Sequence, residues 1–474
     1  MKMGSSVGLS KDRADAYDVK VLPIDMSDST LHKLDASRFS YLAIVDAGSS
    51  GCRAHVYRYG KLGSLTGPLY VLPHHTSKKI KPGLSSFASN PDDAGESLLG
   101  LVEFLKTQVP EDCWSKTPIW VKATAGLRML ALDNKSKSDA ILKSVVKFLS
   151  DKNKSPFFFR ASWAKIISGN EEAGFAWIAY NYLKKIIGPK KVMSQKPYAV
   201  VEMGGASSQV SQLAPPSYAS LIPNDYKFSF DIEGETYTLY TYSYLGYGAD
   251  AARESVNKIL KNGAKNKEDI ADPCLFDGYK RDKSVERKDP YEGPIESTVI
   301  GSAKKDVGLC ANNVAQLFKS KKDKCPTAGP HSFDCTYQPD FITSSENILV
   351  FENFYYVTSA LGLKSSSTRT TTKEPFPLLT TPSDISQNAN QICRTEFQEV
   401  NEIYPKDSQP KDVNLKLCFS ATYASSFLTK GIGLKDDKVV TIQKEVDGNE
   451  IEWALGAAFK EAADFLKRTN LRPV

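Results

Sequence analysis

The sequence has no apolar run that approaches the roughly 18 residues needed to span a membrane, and its first 20 residues lack the apolar core of a signal peptide. It also lacks a dense tract of lysine and arginine, because 61 basic and 55 acidic side chains give a formal charge of only +6 over 474 residues. The small net charge and the lack of a basic tract argue against nucleic-acid binding. With 41% apolar residues, the composition is that of a globular protein large enough for two hydrophobic cores.

Histidine is scarce, and cysteine is not arranged for zinc. The five histidines show no ligand spacing, and no two of the eight cysteines form a C-x₂₋₄-C pair, so we expect no zinc site. Six of the cysteines follow residue 270. This clustering favours disulfide bonds and an oxidising compartment, with buried free thiols as the alternative. Acceptor sequons at Asn134 and Asn153 are compatible with a glycoprotein. We therefore expect a protein of the secretory lumen, such as the Golgi, or of the extracellular space, with its targeting or membrane-anchoring segment outside this sequence.

No Walker loop and no Rossmann fingerprint is present. Instead, two apolar strands, predicted over 41–45 and 198–201, each end in a carboxylate and a glycine-rich turn. The turns read Asp46-Ala-Gly-Ser-Ser-Gly-Cys-Arg53 and Glu202-Met-Gly-Gly-Ala-Ser-Ser-Gln209. Glycine lets backbone N–H groups approach an anion closely. Because the two acids lie a domain-sized interval apart, we interpret the pattern as a duplicated unit whose two loops bind one phosphate chain. Chance recurrence of a short turn is the alternative.

Three further segments combine small residues with chemically useful side chains. They are Val121-Lys-Ala-Thr-Ala-Gly-Leu-Arg128, Ile167-Ser-Gly-Asn-Glu-Glu-Ala-Gly174 and Tyr242-Ser-Tyr-Leu-Gly-Tyr-Gly-Ala-Asp-Ala-Ala-Arg253. The two adjacent acids of the second segment could simply complement a helix dipole, and the aromatic residues of the third could simply belong to a core.

Periodicity predicts the surrounding elements. A strand is expected over 119–123, with helices over 96–109, 138–149, 171–187 and 451–466. The charged stretch 262–288 and the Ser/Thr-rich stretch 365–373 are expected to be exposed insertions.

The five segments, in this order, resemble the five signature regions of the apyrase/guanosine-diphosphatase family, the nucleoside triphosphate diphosphohydrolases. The resemblance extends from about Tyr41 to Trp453-Ala-Leu-Gly456. It implies an α/β, actin-like (ribonuclease H-like) fold with two lobes, a duplicated core and a nucleotide cleft between the lobes. It also implies activity that needs Ca²⁺ or Mg²⁺. On this basis we expect a polar tail over 1–40, lobe I over 41–168 plus 440–474, and lobe II over 169–439.

The resemblance also implies a role for each segment in attack of water on a terminal phosphate. Glu172 is expected to be the general base, Ser207 and Gln209 to position the water, and Thr124 to line the catalytic floor. The groups expected to bind phosphate from the two lobes are Ser49, Ser50, Gly51, Arg53, Gly204, Gly205 and Ala206.

The metal ion, the base and the disulfides are implied in the same way. Asp46 and Glu202 are expected to hold the metal through waters, with Glu202 standing where the family usually has Asp. Tyr355 or Tyr356 is expected to stack on the base, two core aromatics being the alternative. The implied disulfides are Cys274–Cys310, Cys325–Cys335 and Cys393–Cys418, which leaves Cys52 and Cys113 unpaired.

Three functions are compatible with these observations. A phosphohydrolase acting on nucleoside tri- or diphosphates has all of its expected residues. A sugar kinase of the same fold is a second hypothesis, although such kinases lack the Ala-Thr-Ala-Gly-Leu-Arg segment. A non-catalytic nucleotide-binding protein is the third, and the presence of Glu172, Ser207 and Gln209 argues against it. The nucleotide preference stays open, and the segment Tyr-Leu-Gly-Tyr-Gly slightly favours the lumenal diphosphatases. The sequence does not indicate an oligomeric state.

Overall fold

A computed structural model describes residues 19–264, 269–281, 298–305, 307–319, 333–334, 336–363, 377–403 and 413–469. The first sheet has the order β1-β3-β2-β6-β7, and β4 and β5 both pair with β3. Its strands are β1 (Val21–Leu22), β2 (Ser40–Ala47), β3 (Cys52–Leu62), β4 (Leu69–Val71), β5 (Thr76–Ile80), β6 (Ile119–Ala123) and β7 (Ala164–Ile166).

The second sheet has the order β10-β11-β9-β8-β15-β17-β16, and two small sheets accompany it, β12-β14-β13 and β18-β19. The remaining strands are β8 (Ala199–Met203), β9 (Ser207–Leu213), β10 (Lys227–Ile232), β11 (Glu235–Leu245), β12 (Asp269–Asp272), β13 (Lys280–Arg281), β14 (Thr298–Gly301), β15 (Ile348–Glu352), β16 (Leu378–Thr380), β17 (Val440–Ile442), β18 (Glu445–Val446) and β19 (Asn449–Glu450).

The helices surround and separate the two large sheets. They are α1 (Asp28–His32), α2 (Asp93–Glu96), α3 (Leu99–Gln108), α4 (Ala125–Asp133), α5 (Lys135–Ser150), α6 (Gly169–Leu183), α7 (Ala249–Gly263), α8 (Val307–Leu317), α9 (Asn353–Ala360), α10 (Pro382–Ile392), α11 (Phe397–Ile403), α12 (Val413–Ser426) and α13 (Trp453–Thr469). Over the described ranges, none of them combines the length and the apolar character that crossing a membrane requires.

The two large sheets contain the same central unit. In the first sheet, β2 pairs antiparallel with β3 and parallel with β6. In the second, β8 pairs antiparallel with β9 and parallel with β15. The registers agree as well, since Asp46 lies opposite Arg53 and Glu202 lies opposite Gln209. The structure thus confirms the duplicated unit predicted from the two strand–acid–loop segments.

Helices α6 and α13 pack along each other between the two sheets. A Cβ atom on Gly456 would lie 2.0 Å from the carbonyl oxygen of Phe175, so only glycine permits this close approach of the helices. Trp453 stacks on Phe175 with ring centroids 6.2 Å apart. Successive residues of β8 face opposite cores: Val200 belongs to the core around α6 and α13, and Val201 belongs to the core on the other side. Apolar packing on both faces holds the second sheet in place.

The described part of the predicted tail is folded onto the body. Strand β1 pairs with β3, and the side chains of Leu22 and Leu31 are fully buried. The apolar residues of this segment are irregularly spaced and therefore gave no clear periodic signal. Strand β17 also differs from the predicted division, because it pairs with β15 and β16 of the second sheet although the prediction placed residue 440 in lobe I.

The predicted insertion at 262–288 is likewise more ordered than expected where the structure describes it. It contributes β12 and β13 to the small three-stranded sheet, and Ile270 and Phe276 are buried there. The predicted insertion at 365–373 lies outside the described residues.

Two of the three expected disulfides are present. Cys274, which follows β12, bonds to Cys310 in α8. Cys393, at the end of α10, bonds to Cys418 in α12. Cys325 and Cys335 lie outside the described residues. As expected, Cys52 and Cys113 are free, Cys52 being buried and Cys113 half-buried.

Candidate active site

The first glycine-rich loop connects β2 to β3 and is held from two sides. A Cβ on Gly51 would lie 2.5 Å from the carbonyl oxygen of Ile80 at the end of β5, and a Cβ on Gly126 would lie 2.8 Å from Cα of Ser49. The N–H of Thr124 donates to the carbonyl of Ala47 over 3.2 Å. The small residues of the Ala-Thr-Ala-Gly segment therefore let the start of α4 pack directly against this loop.

The second loop connects β8 to β9 and rests on the start of α7. The N–H groups of Ala249 and Asp250 donate to the carbonyls of Gly204 and Gly205, each over 2.9 Å. A Cβ on Gly248 would lie 2.4 Å from the carbonyl carbon of Gly205, so the close packing of α7 on this loop requires the glycine of the Tyr-Gly-Ala-Asp sequence.

The two loops face each other across the cleft. A Cβ on Gly205 of the second loop would lie only 3.7 Å from Oγ of Ser49 in the first. Backbone N–H groups and hydroxyls from both loops therefore border one narrow space, which is the geometry that an extended phosphate chain requires.

The structure separates the roles of the two acids at the start of α6. Ser168 is the N-cap, and Glu171 completes a capping box by accepting from the Ser168 N–H over 2.9 Å. Glu171 also accepts from Lys165 Nζ over 2.7 Å. The alternative that the two acids only stabilise the start of the helix therefore applies to Glu171 and not to Glu172. Glu172 lies on a different face of the helix and is buried in the cleft.

Glu172 is the centre of a hydrogen-bonded cluster that joins elements of both sheets. Its Oε2 accepts from Arg128 Nη2 over 2.6 Å and from Gln209 Nε2 over 3.2 Å. Gln209 Nε2 also lies 2.6 Å from Ser207 Oγ and 3.0 Å from Ser243 Oγ. Gln209 thus links Glu172 to Ser207, the three residues expected to activate water.

Arg128 was not among the predicted site residues. It stands one turn into α4, and its Nη2 also donates to Ser207 Oγ over 3.3 Å. The signal was the arginine at the end of the Ala-Thr-Ala-Gly-Leu-Arg segment, although only the fold shows that it reaches Glu172.

The carboxylates at the two strand ends have no hydrogen-bond partner for one buried oxygen each. Among the described residues, Asp46 Oδ1 and Glu202 Oε2 are in this position. Burial, together with Glu172 and Glu452, raises the pKa of Asp46 to about 8. Burial, together with Glu172 and Glu352, raises the pKa of Glu202 well above its usual value. Unpartnered hard oxygen donors in an excess of negative charge fit a Ca²⁺ or Mg²⁺ ion with its waters.

Two further charged residues of the cleft were not predicted. Glu352 ends β15, the strand beside β8, and adopts a φ of +59°. Burial and the nearby Glu452 raise its pKa to about 7. Lys79 in β5 places Nζ 3.4 Å from Ser50 Oγ, so it adds a cation to the first loop. The sequence did contain a signal for Glu352, because the apolar run of β15 ends in an acid as the strands before Asp46 and Glu202 do.

Arg53 of the first loop is anchored by the residue that precedes α13. Its Nη1 contacts Glu452 Oε1, and Glu452 Oε2 lies 2.9 Å from His55 Nδ1 and 3.6 Å from His75 Nε2. Burial would raise the pKa of Glu452, but His55, His75 and Arg53 outweigh this effect and hold its pKa well below the usual value.

The two candidate stacking residues lie in α9. Both are half-buried, and their rings form an edge-to-face pair with centroids 5.7 Å apart. Burial and the negative charge of Glu352 raise the pKa of Tyr356. Which of the two tyrosines contacts a base stays a prediction.

The two-lobed α/β fold with its paired glycine-rich loops is the actin-like fold. A solved nucleoside triphosphate hydrolase from Neospora caninum shares the fold, with a TM-score of 0.60 over 91% of this chain and 93% of that chain at 14% identity. The model of the GDA1/CD39 (nucleoside phosphatase) family matches residues 32–473. The chain belongs to this family and is an enzyme that hydrolyses nucleoside phosphates.

Its relatives carry both of the names on which the resemblance rested. A guanosine-diphosphatase of Schizosaccharomyces pombe is 31% identical, over 88% of this chain and 73% of the relative. A probable apyrase of Arabidopsis thaliana is 29% identical, over 88% and 78%. An ectonucleoside triphosphate diphosphohydrolase of Gallus gallus is 29% identical, over 88% and 86%.

Proposed function

We propose that this enzyme removes terminal phosphates from nucleoside tri- or diphosphates by in-line attack of a water molecule that Glu172 deprotonates. The observation that carries the proposal is the contact of Glu172, Arg128, Ser207 and Gln209 beside the two facing phosphate loops. A base, two groups that orient a water and two anion-binding loops are the parts that phosphoryl transfer to water requires.

The cluster supports a specific division of labour. Arg128 and Gln209 orient the carboxylate of Glu172, and both of their hydrogen bonds are to Oε2. Oε1 accepts neither of these bonds and is the oxygen left for the water. A water between Oε1, Ser207 and Gln209 would lose its proton to Glu172 as it attacks. Thr124, the buried residue that precedes α4, is proposed to line the floor of the same space.

The charges of the cleft support binding of a divalent cation together with the nucleotide. Asp46 and Glu202 are proposed to hold Ca²⁺ or Mg²⁺ through waters, and such an ion, when bound, neutralises phosphate oxygens and orients the chain. Ser49, Ser50, Gly51 and Arg53 are proposed to bind the phosphates from one side. Gly204, Gly205 and Ala206 are proposed to bind them from the other.

The domain division follows the sheets. We infer that the cleft lies between two lobes. The first lobe is built on the sheet of β1 to β7 and includes α13, and the second is built on the sheet of β8 to β11 and β15 to β17. The cleft is the proposed place of the nucleotide, with Tyr355 or Tyr356 against the base.

The compartment is part of the proposal. Two disulfides in the second half of the chain and the names of the relatives support a lumenal or extracellular enzyme. Asn153 is exposed, whereas Asn134 caps α5 by accepting from the Lys137 N–H. Both sequons are compatible with glycosylation in such a compartment, and Pro156 follows the second one.

A phosphate-release panel tests the proposal. The full chain should release inorganic phosphate from at least one of ATP, ADP, GTP, GDP, UTP and UDP without an acceptor sugar, lose this activity in EDTA, and regain it with Ca²⁺ or Mg²⁺. The guanosine-diphosphatase name of one relative and the Tyr-Leu-Gly-Tyr-Gly segment make diphosphates, GDP and UDP first, the expected substrates. Nucleotide consumption that needs an added sugar and yields a sugar phosphate in place of free phosphate would instead identify a kinase.

A further inference from the structure

A second group of metal-ligating side chains lies in the first lobe, behind the loop that carries Arg53. Three ligand atoms, from His55, His75 and Glu452, lie within 4.8 Å of one another. We propose that these residues form a binding site for a transition-metal dication with a preference for nitrogen ligands, such as Zn²⁺. This site is separate from the hard-cation site at Asp46 and Glu202.

The ligand atoms have the spacing that a tetrahedral ion needs. Metal–ligand bonds of about 2.0 Å at tetrahedral angles separate neighbouring ligand atoms by about 3.3 Å. Glu452 Oε2 lies 2.9 Å from His55 Nδ1 and 3.6 Å from His75 Nε2, on either side of that value. Among the described residues, neither His55 Nδ1 nor Glu452 Oε2 has a well-directed hydrogen bond, although the two atoms are close. Three ligand atoms that converge in this way fit a common metal ion.

The surroundings of His75 direct one ring nitrogen to the cluster. Its Nδ1 lies 3.2 Å from the carbonyl oxygen of Pro73, and its Nε2 is the nitrogen that faces Glu452. Metal-binding histidines usually have such a carbonyl partner on the other nitrogen. Glu452 has an equivalent support, because its Oε1 is held by Arg53.

The strand geometry explains why the cluster forms. Arg53, His55 and Tyr57 are alternate residues of β3 and therefore share one face. Within the described part of the chain, the hydroxyl of Tyr57 is buried without a hydrogen-bond partner, and the ring centroid of Tyr57 is 4.7 Å from that of His75. A water bound to the ion as fourth ligand would give this hydroxyl a partner. The site stays reachable, since the side chains of His75 and Glu452 are 8% and 12% exposed whereas that of His55 is 1% exposed.

Calorimetric titration of the metal-free full chain with ZnCl₂ in excess Mg²⁺ tests the proposal. Mg²⁺ occupies the oxygen-rich carboxylates of the cleft, so zinc should bind with a stoichiometry of about one. The variant His75→Ala should lower the affinity by roughly 100-fold or more, since removal of a ligand costs more than the 10–100-fold typical of outer-shell partners. His74→Ala is the matched control, because the exposed His74 neighbours His75 in sequence but lies outside the cluster. It should bind zinc like the parent.

Two further measurements test the geometry of the site and whether a thiol contributes to it. Co²⁺ should give the intense visible absorption of a tetrahedral site in the parent and in His74→Ala, but not in His75→Ala. Cys113→Ser, which removes the half-buried thiol, should keep zinc binding, and circular dichroism should show each variant folded. No binding by the parent, or equal binding by His74→Ala and His75→Ala, would overturn the proposal. Neither result depends on nucleotide hydrolysis.

Discussion

At the scale of single residues, neighbours in the sequence have different surroundings. Glu171 and Glu172 are adjacent, yet Glu171 closes the capping box of α6 and pairs with Lys165, whereas Glu172 pairs with Arg128 in the cleft. Successive residues of a helix point about 100° apart, so one side chain reaches the helix end while the next reaches the cleft.

The proposed base gives the first prediction. Glu172→Gln should lower kcat by about 10²–10⁴-fold, roughly 3–5 kcal/mol of barrier, because it deletes the proton acceptor. The melting temperature should change little because two effects oppose each other. The variant loses the ion pair with Arg128, but it also removes the repulsion between the Glu172 carboxylate and the carboxylates of Asp46 and Glu202. Steady-state kinetics and calorimetry measure both effects.

Glu171→Gln is the matched control for this prediction. It should leave kcat within a few-fold of the parent and cost about 1 kcal/mol of stability through the weakened cap. Near-normal turnover of Glu172→Gln together with loss of activity in Glu171→Gln would move the base by one residue. Full activity of both variants would remove the general-base assignment.

Glu202 gives the second prediction. It is one methylene longer than the aspartate that the family resemblance implies at this position, and its Oε2 is buried with no hydrogen-bond partner among the residues that the structure describes. Glu202→Asp should stay active and change the ratio of Ca²⁺-supported to Mg²⁺-supported turnover, because Mg²⁺ tolerates less variation in ligand distance than Ca²⁺. Turnover measured at saturating concentrations of each ion gives this ratio. An unchanged ratio would argue that Glu202 does not contact the water shell of the ion.

At the scale of elements, the N-terminal segment shows how a polar stretch is fixed in place. Asp28 at the start of α1 accepts hydrogen bonds from Tyr70 and from Lys190, with Lys190 Nζ at 2.6 Å. Leu31 of the same helix is buried. One apolar anchor and one charged anchor thus hold the helix against β4 and the segment that follows α6.

The charged anchor gives the third prediction. Burial would raise the pKa of Asp28, but Lys190 and Tyr70 lower it overall. The stabilisation is therefore present above the unfolded-state pKa of about 3.9 and is lost as the pH falls through the folded-state pKa. Asp28→Asn should cost about 1 kcal/mol at neutral pH, and the difference from the parent should shrink below about pH 4. Urea unfolding at several pH values measures it.

The control for this variant is Asp25→Asn, an exposed carboxylate in the same segment. It should leave the free energy of unfolding unchanged at every pH. A cost for Asp28→Asn that is the same at low and neutral pH would show that the side chain acts through packing and not through its charge.

At the scale of the whole molecule, the two halves of the chain are stabilised differently. The described disulfides connect elements that pack on the second sheet. The first lobe depends on a continuous apolar core and on Glu452, which returns from the far end of the chain to Arg53. The cleft between the halves combines five acids, Asp46, Glu172, Glu202, Glu352 and Glu452, with three cations, Arg53, Lys79 and Arg128. Such a cleft suits a cation and a polyphosphate that bind together.

The cysteines give the fourth prediction. Denatured but unreduced protein should show two reactive thiols, because Cys52 and Cys113 are free and Cys325–Cys335 is expected to be the third bond. In the native protein only Cys113 should react, since burial raises the pKa of Cys52 to about 12 and also excludes the reagent. Thiol titration counts both numbers, and Cys113→Ser should remove the native reaction. Four thiols in the denatured protein would show that Cys325 and Cys335 are unpaired.

Local patterns in the sequence determined the parts of this protein that depend on neighbours along the chain. The strand Ile119–Ala123 was predicted with its observed bounds, and the strand–acid–loop segments at Asp46 and Glu202 are the hairpins of the structure. Strand alternation and glycine-rich turns are properties of a few consecutive residues, so they can be recognised without the fold. Family resemblance then supplied the identity of the site residues.

Only the tertiary structure decided which distant residues meet. Arg53 and Glu452 are separated by 399 positions, yet their side chains are in contact, and Arg128 reaches Glu172 across 44 positions. The histidines that have no ligand spacing in the sequence converge with Glu452 because β3, the segment after β4 and the start of α13 pack together. Such contacts follow from the burial of whole elements, which minimises exposed apolar area over the entire chain, and no short stretch of sequence records that outcome.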